Sequence, residues 1–242
     1  MPFLSALPTV DPQSVVDGAK LWSGPGYIDG LQIQWVSATA VTVSSGRAYI
    51  PSVGYYLDAP NAIPLTGLVL TASTWYHLYL YNNAGTPAVE CVTTAPAAPY
   101  SGTARAKTGD TSRRYVGSVL TDGTGNIYNF ISQGSKVNYY YLQRILSTGT
   151  ATVRTTVSGT GALPPTAILA LLHVQNQSSA NSVVIDTPES GNTGGAGIFA
   201  LSALQPIAIE TPCASQTFIY EYTGATSGGG CMIDVLGYTY GR

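Results

Sequence analysis

Apolar and polar residues alternate along much of this chain with a period of two, as strands with one buried face require. Leu31-Gln32-Ile33-Gln34-Trp35-Val36 shows the pattern, and Ala40–Val43 and Arg47–Ile50 repeat it around the turn Ser44-Ser45-Gly46. Trp75–Tyr81 is rich in aromatic residues and runs into Asn82-Asn83-Ala84-Gly85, a hairpin signal whose partner strand is Ala88–Thr94. Tyr115–Leu120 and Ile127–Ile131 flank Thr121–Asn126 and predict a second hairpin. After Gln133-Gly134-Ser135 a second series begins, with Val137–Leu146, Ala151–Val157, Ile168–Val174, Ser182–Asp186, Ile198–Leu201 and Ile207–Glu210. The apolar run Ile168–Val174 predicts a strand buried on both faces. Thr217–Tyr222 and Met232–Tyr238, joined by Gly224–Gly230, predict a closing hairpin.

No stretch carries a convincing helical period. Asp11–Leu21 comes nearest, with an internal Gly and weak caps. The pattern predicts an all-β protein with two β-sandwich (jelly-roll-like) domains, residues 26–133 and 134–242, and an extended N-terminal arm over 1–25. The arm is Pro-rich with scattered apolar residues (Phe3, Leu4, Leu7, Val10, Val15, Val16), which suits either docking onto a partner or disorder.

Composition changes the picture in one respect. Charged residues make up 9% of the 242, against roughly 25% in an average globular domain. A free monomer with so little charge risks association, so the composition points to an oligomer or a packed assembly. Arg105, Lys107, Arg113 and Arg114 cluster around Asp110, too sparsely for a nucleic-acid footprint. No apolar run approaches a membrane span, and the start of the chain has no secretory n-region, so synthesis in a cytoplasm without membrane insertion is expected. Cys91, Cys213 and Cys231 have no metal spacing. Cys213 and Cys231 flank the predicted closing hairpin, where two small buried thiols are favoured over a disulfide.

The sequence offers no catalytic constellation, no metal site and no cofactor site. The two histidines, His77 and His173, sit inside predicted strands. There is no GxSxG or HExxH pattern. Asp110 and Asp122 lie in turns, where Asp bonds its own backbone, and Glu90, Glu210 and Glu221 lie in predicted strands. Gly191–Gly197 lacks the strand-to-helix setting of a phosphate loop. Asn176-Gln177-Ser178 matches a glycosylation sequon. An enzyme is therefore not expected.

Aromatic content on this weakly charged scaffold is distinctive: 17 Tyr and 3 Trp, but 4 Phe. Tyrosine has an apolar face and a hydrogen-bonding tip, which suits both sugar stacking and protein interfaces. Tyr139-Tyr140-Tyr141 cannot all face one core, so at least one must point the other way. Tyr220, Tyr222, Tyr238 and Tyr240 fall at period-2 spacing on strands expected to pair. Tyr139, Tyr141, Tyr220, Tyr222, Tyr238 and Tyr240 are the candidate glycan or interface contacts, with cross-strand packing or a subunit interface favoured over a ligand platform.

The strand WYHLYLY (Trp75–Tyr81), the loop TAPAAPYSGTA (Thr94–Ala104) and GDTSRRYVGSVLTD (Gly109–Asp122) resemble a module of bacteriophage tail-fibre and other virion-associated proteins. The resemblance covers residues 75–131, about a quarter of the chain, and extends more loosely to Ala38–Ile50. It implies a virion component, commonly a homotrimer, joined to other virion proteins through the arm and contacting a host-surface glycan or protein. A non-binding baseplate or capsid decoration protein is the alternative. A polysaccharide depolymerase is disfavoured, since repetitive β-helical coils and clustered carboxylates are missing.

Overall fold

The computed structural model describes residues 24–191 and 197–242. Nearly all of the predicted arm, the helix candidate Asp11–Leu21 and most of the Gly-rich loop at 191–197 lie outside the described residues. Within them the fold is all-β, with a single turn of 3₁₀ helix at Pro188–Ser190.

The first half holds ten short strands in three antiparallel sheets. β1 (Ile28–Gly30), β4 (Gly46–Ile50) and β5 (Tyr55–Ala59) make one; β2 (Ile33–Ser37), β3 (Ala40–Val43) and β6 (Ile63–Leu65) make another. The third runs β8 (Thr86–Val92), β7 (Trp75–Asn83), β10 (Asp110–Leu120), β9 (Ala106–Lys107). The predicted β7–β8 hairpin forms, with Asn83 opposite Thr86. Its two turn residues, Ala84 (φ 49°) and Gly85 (φ 94°), adopt the positive φ that matches the twist of the flanking strands.

The second half holds β11 (Phe130–Gln133), β12 (Lys136–Gly149), β13 (Thr155–Ser158), β14 (Ala167–Asn176), β15 (Val183–Asp186), β16 (Phe199–Leu201), β17 (Pro206–Pro212), β18 (Thr217–Tyr222) and β19 (Cys231–Tyr240). Strands β12 to β19 pair as a nested series: β12 with β19, β13 with β18, β14 with β17, and β15 with β16. That is one long eight-strand hairpin folded on itself. Rolling it adds the contacts β14·β19 and β15·β18. The result is a jelly roll with sheets β12-β19-β14-β17 and β13-β18-β15-β16, and β11 extends the first sheet beside β12. The boundary expected between residues 133 and 134 thus falls inside the β11–β12 hairpin.

Two predicted hairpins are corrected by this topology. Tyr115–Leu120 and Ile127–Ile131 do not pair as strands. The chain does reverse at Asp122, whose carboxylate accepts the Thr124 and Asn126 amides, but β10 pairs with β7 and β9 while β11 pairs with β12. Likewise, β18 and β19 lie in opposite sheets of the sandwich. In β14, Ala170, Leu172, Val174 and Asn176 face the core, while the intervening Leu169, Leu171 and His173 stay partly exposed. The strand is therefore buried on one face, its apolar outer positions being half-covered rather than sealed.

The strands of the two jelly-roll sheets differ in length. β12, β19 and β14 span 14, 10 and 10 residues, against 4, 6 and 4 in β13, β18 and β15. The longer sheet overhangs the shorter one, and the overhang carries Tyr238 and Tyr240. The first half covers it. A chain of rings crosses the seam through Tyr79, Tyr115, Tyr240, Tyr238, Tyr139 and Tyr128, with successive centroids 5.9 to 6.3 Å apart. The phenols find partners across the same seam: Tyr240 donates to the Val116 carbonyl, and Tyr115 bonds Thr166 Oγ1 at 2.7 Å. At the chain end, Arg242 Nη1 donates to the Leu31 carbonyl. Residues of both halves thus share one continuous apolar core.

Because this core is shared, thermal and urea unfolding should each show one transition by all probes. Tyr238→Ala should lower the stability of that single transition by about 3–5 kcal/mol, the usual cost of truncating a large buried aromatic. Tryptophan fluorescence and far-ultraviolet circular dichroism, followed together, would expose two separate transitions if the halves were independent.

Candidate functional site

Tyr139, Tyr140 and Tyr141 lie where β12 loses register with β19. Asn138 sits opposite Gly237, yet Gln143 sits opposite Val235, five residues along β12 for two along β19. The three surplus positions cannot pair with β19, so β12 bulges there, while Tyr139 keeps its place opposite Phe130 of β11. Gly237 lets the strands close up before it, since a Cβ there would fall 2.3 Å from the Val137 carbonyl oxygen. Tyr139 turns inward, its ring 5.9 Å from Tyr238 and its hydroxyl donating to the Ala162 carbonyl. Tyr140 and Tyr141 turn outward, 64% and 69% exposed, with ring centroids 4.8 Å apart and planes at 83°. Leu142 beside them and Ile131 on β11 are also exposed. The bulge is anchored at both ends: the Tyr140 amide donates to the Asn129 carbonyl, and Gln143 Nε2 donates to the Tyr141 carbonyl.

The other candidate tyrosines have a different fate. Tyr220, Tyr222, Tyr238 and Tyr240 are all 5% exposed or less. They do not form a surface stripe, because period-2 spacing places them on one face of each strand and that face is the inner one. Among the six candidates, Tyr141 alone is well exposed. Its neighbour Tyr140, which spacing did not single out, completes the exposed pair, since a three-residue bulge leaves no mark in the alternation.

A concave feature lies at the seam. Trp75, at the start of β7, and Tyr128, just before β11, form aromatic walls of a crevice of about 250 Å³, closed on the jelly-roll side by Thr160 and Gly161 of the β13–β14 loop. The indole N–H donates to the Thr160 carbonyl at 2.9 Å and fixes the Trp75 ring.

The titratable groups are mostly engaged in holding the structure. His77 Nδ1 is 2.7 Å from Ser118 Oγ, which also bonds the Tyr115 hydroxyl. This resembles a nucleophile–base pair only in composition, since all three side chains are buried. Burial pushes His77 down to about 4 and Tyr115 above its ordinary range. On the outer face of the long sheet, the buried Asp234 accepts two bonds from Arg144 (2.8 and 3.1 Å), with His173 Nδ1 at 3.5 Å. Asp110 and Asp122 each bond their own turn, Asp110 being held below its usual range first by the Ser112 hydroxyl. Glu90 takes Lys107 at 2.9 Å and Arg113 at 3.5 Å, so these cations do not form a free basic face. Arg114 is fully buried against backbone carbonyls. The sequon residue Asn176 is buried too, its amide donating to three carbonyls and its oxygen accepting from Tyr222. Cys213 and Cys231 are free, buried thiols pushed up to about 12 by desolvation. Among the described residues, no three His, Cys, Asp or Glu side chains gather in a way that could hold a metal.

No protein-family model matches the chain, and no curated protein matches it.

The buried His77 sets an acid sensitivity. Unfolded, it takes up a proton near 6.5; folded, it stays neutral down to about 4. Between these values the unfolded chain binds more protons, so stability falls as pH drops through the window, by about 3 kcal/mol at its lower end. Urea denaturation at several pH values should show this slope in the parent protein and a flatter one in His77→Gln.

Proposed function

We propose that this chain is a bacteriophage virion protein, a tail-fibre or receptor-binding component that attaches the particle to the host surface. The observation that carries this reading is the Tyr140–Tyr141 bulge. Two large rings are held out from a rigid strand with their bases clamped, which costs exposed apolar area unless something covers it. Rigid aromatic anchors with polar tips are what recognition of a glycan or protein surface uses. The scaffold is compatible, since jelly rolls serve in both capsid and lectin domains, although architecture alone does not assign a role. The resemblance of Trp75–Ile131 to a virion module adds the setting. In this reading the chain assembles as a homotrimer, and the N-terminal arm, outside the described residues, joins it to other virion proteins.

A second reading is favoured by the same bulge. An exposed apolar pair also suits a contact between subunits, as in a baseplate or capsid decoration protein that binds no host. The two readings separate with one double variant, Tyr140→Ser with Tyr141→Ser. For an attachment protein, labelled protein should bind host cells, and the variant should lose roughly tenfold or more in affinity, equivalent to about 1.4 kcal/mol, with its light-scattering mass unchanged. A variant that changes assembly mass while cells bind neither form would establish the building-block role instead.

A further inference from the structure

We propose that the seam crevice between Trp75 and Tyr128 is a binding site for a single neutral sugar ring. Its lining has two kinds of surface. Trp75 and Tyr128 supply aromatic walls, while the exposed Ser73 and Thr160 supply hydroxyls, and the buried Thr121 forms part of the floor. Among the described residues, no charged side chain lines it. A phosphate, carboxylate or amine entering would lose hydration without meeting a counter-charge, and a wholly apolar ligand would desolvate the hydroxyls without replacing their bonds. A pyranose matches both surfaces, since one face presents C–H groups to an aromatic ring and its rim carries hydroxyls.

Size narrows the ligand further. At about 250 Å³ the crevice lies below the roughly 300 Å³ at which pockets for drug-sized ligands begin. It suits one ring of a saccharide, with the remainder of any chain in solvent. The walls are also fixed in advance. Trp75 is bonded to the Thr160 carbonyl and packs edge-on against Tyr238 at 6.2 Å. Tyr128 packs edge-on against Tyr139 at 6.3 Å. Thr121 Oγ1 bonds the Thr71 carbonyl at 2.7 Å and the Thr74 amide at 2.9 Å, which braces the floor. A ligand would find these groups already placed, so little of its binding energy would go into ordering side chains. The position is apt as well, because junctions between structural units are frequent ligand sites.

This inference does not rest on the attachment reading, which concerns a different surface. The test is a titration of ¹⁵N-labelled full-length protein with methyl glycosides of glucose, galactose, mannose and N-acetylglucosamine, with methyl glucuronide as the charged control. At least one neutral glycoside should move the Trp75 indole N–H and the Gly161 amide resonances along one saturating curve, and the glucuronide should move neither. Gly161→Trp should reduce that affinity roughly tenfold or more. A Cβ at Gly161 meets nothing within 4 Å, so the backbone accepts a side chain there. Tyr128→Leu, which removes one wall, should weaken binding in the same way and serves if the tryptophan variant does not fold. The Tyr140→Ser, Tyr141→Ser variant should bind the glycoside as the parent does. Unmoved resonances with all four neutral glycosides, or full affinity in both crevice variants, would overturn the proposal.

Discussion

The longer sheet of the jelly roll extends past the sheet it packs against, and the rest of the molecule depends on covering that overhang. The inner face of β19 continues from Ile233 and Val235 to Tyr238 and Tyr240 after the shorter sheet has ended. Left in water, this aromatic surface would be an association hazard. The sheet containing β7 and β10 covers it, and the contact is rich in tyrosines. A phenol buried without a partner is costly, so each ring also acts as a directional fastener. Tyr115, Tyr139, Tyr238 and Tyr240 all bond a named group, in three cases a backbone carbonyl. The seam is therefore specific as well as apolar, and it ties residues more than a hundred positions apart in sequence.

The few charges are used in a related way. Asp234 and Asp186 are buried and each is held by an arginine, Arg144 and Arg154, at 2.8 and 2.6 Å. Arg114 is buried with carbonyl acceptors only, above the Tyr100 ring. Removing the arginine from either pair strands a buried carboxylate, whereas the arginines themselves reach solvent, so these contacts fix registry between strands more than they add net stability. With charged residues only 9% of the chain, hydroxyls, amides and aromatic rings take a large share of the exterior. That is the surface on which both the Tyr140–Tyr141 bulge and the seam crevice are found.

The bulge and the crevice have a common origin. Tyr139 points inward from the root of the bulge and braces Tyr128, which forms one wall of the crevice. Its hydroxyl holds the Ala162 carbonyl in the loop that forms the opposite side. The three surplus residues of β12 thus allow one strand to serve the core, the crevice and the exposed pair at once. In a strand without the bulge, simple alternation would send Tyr139 and Tyr141 to one face and Tyr140 to the other.

Much of the strand content was legible in the sequence, because alternation reports how side chains divide between two faces of a local segment. The β7–β8 hairpin was legible too, since Asn82–Gly85 supplies the turn geometry within the segment itself. The turns at 121–126 and 224–230 look much the same on the page, yet neither joins paired strands. A turn sequence fixes that the chain reverses, while pairing is decided by which edges the whole sandwich leaves open. For the same reason, spacing grouped Tyr220 with Tyr222 and Tyr238 with Tyr240 but left open whether those faces pack inward or present contacts. The sequence by itself determined an all-β chain with little charge and many tyrosines on shared faces. Only the tertiary structure decided which faces are inside, because that depends on long-range strand pairing, and it alone exposed Tyr140 and Tyr141, because a bulge is a mismatch between two strands and cannot be read from either one.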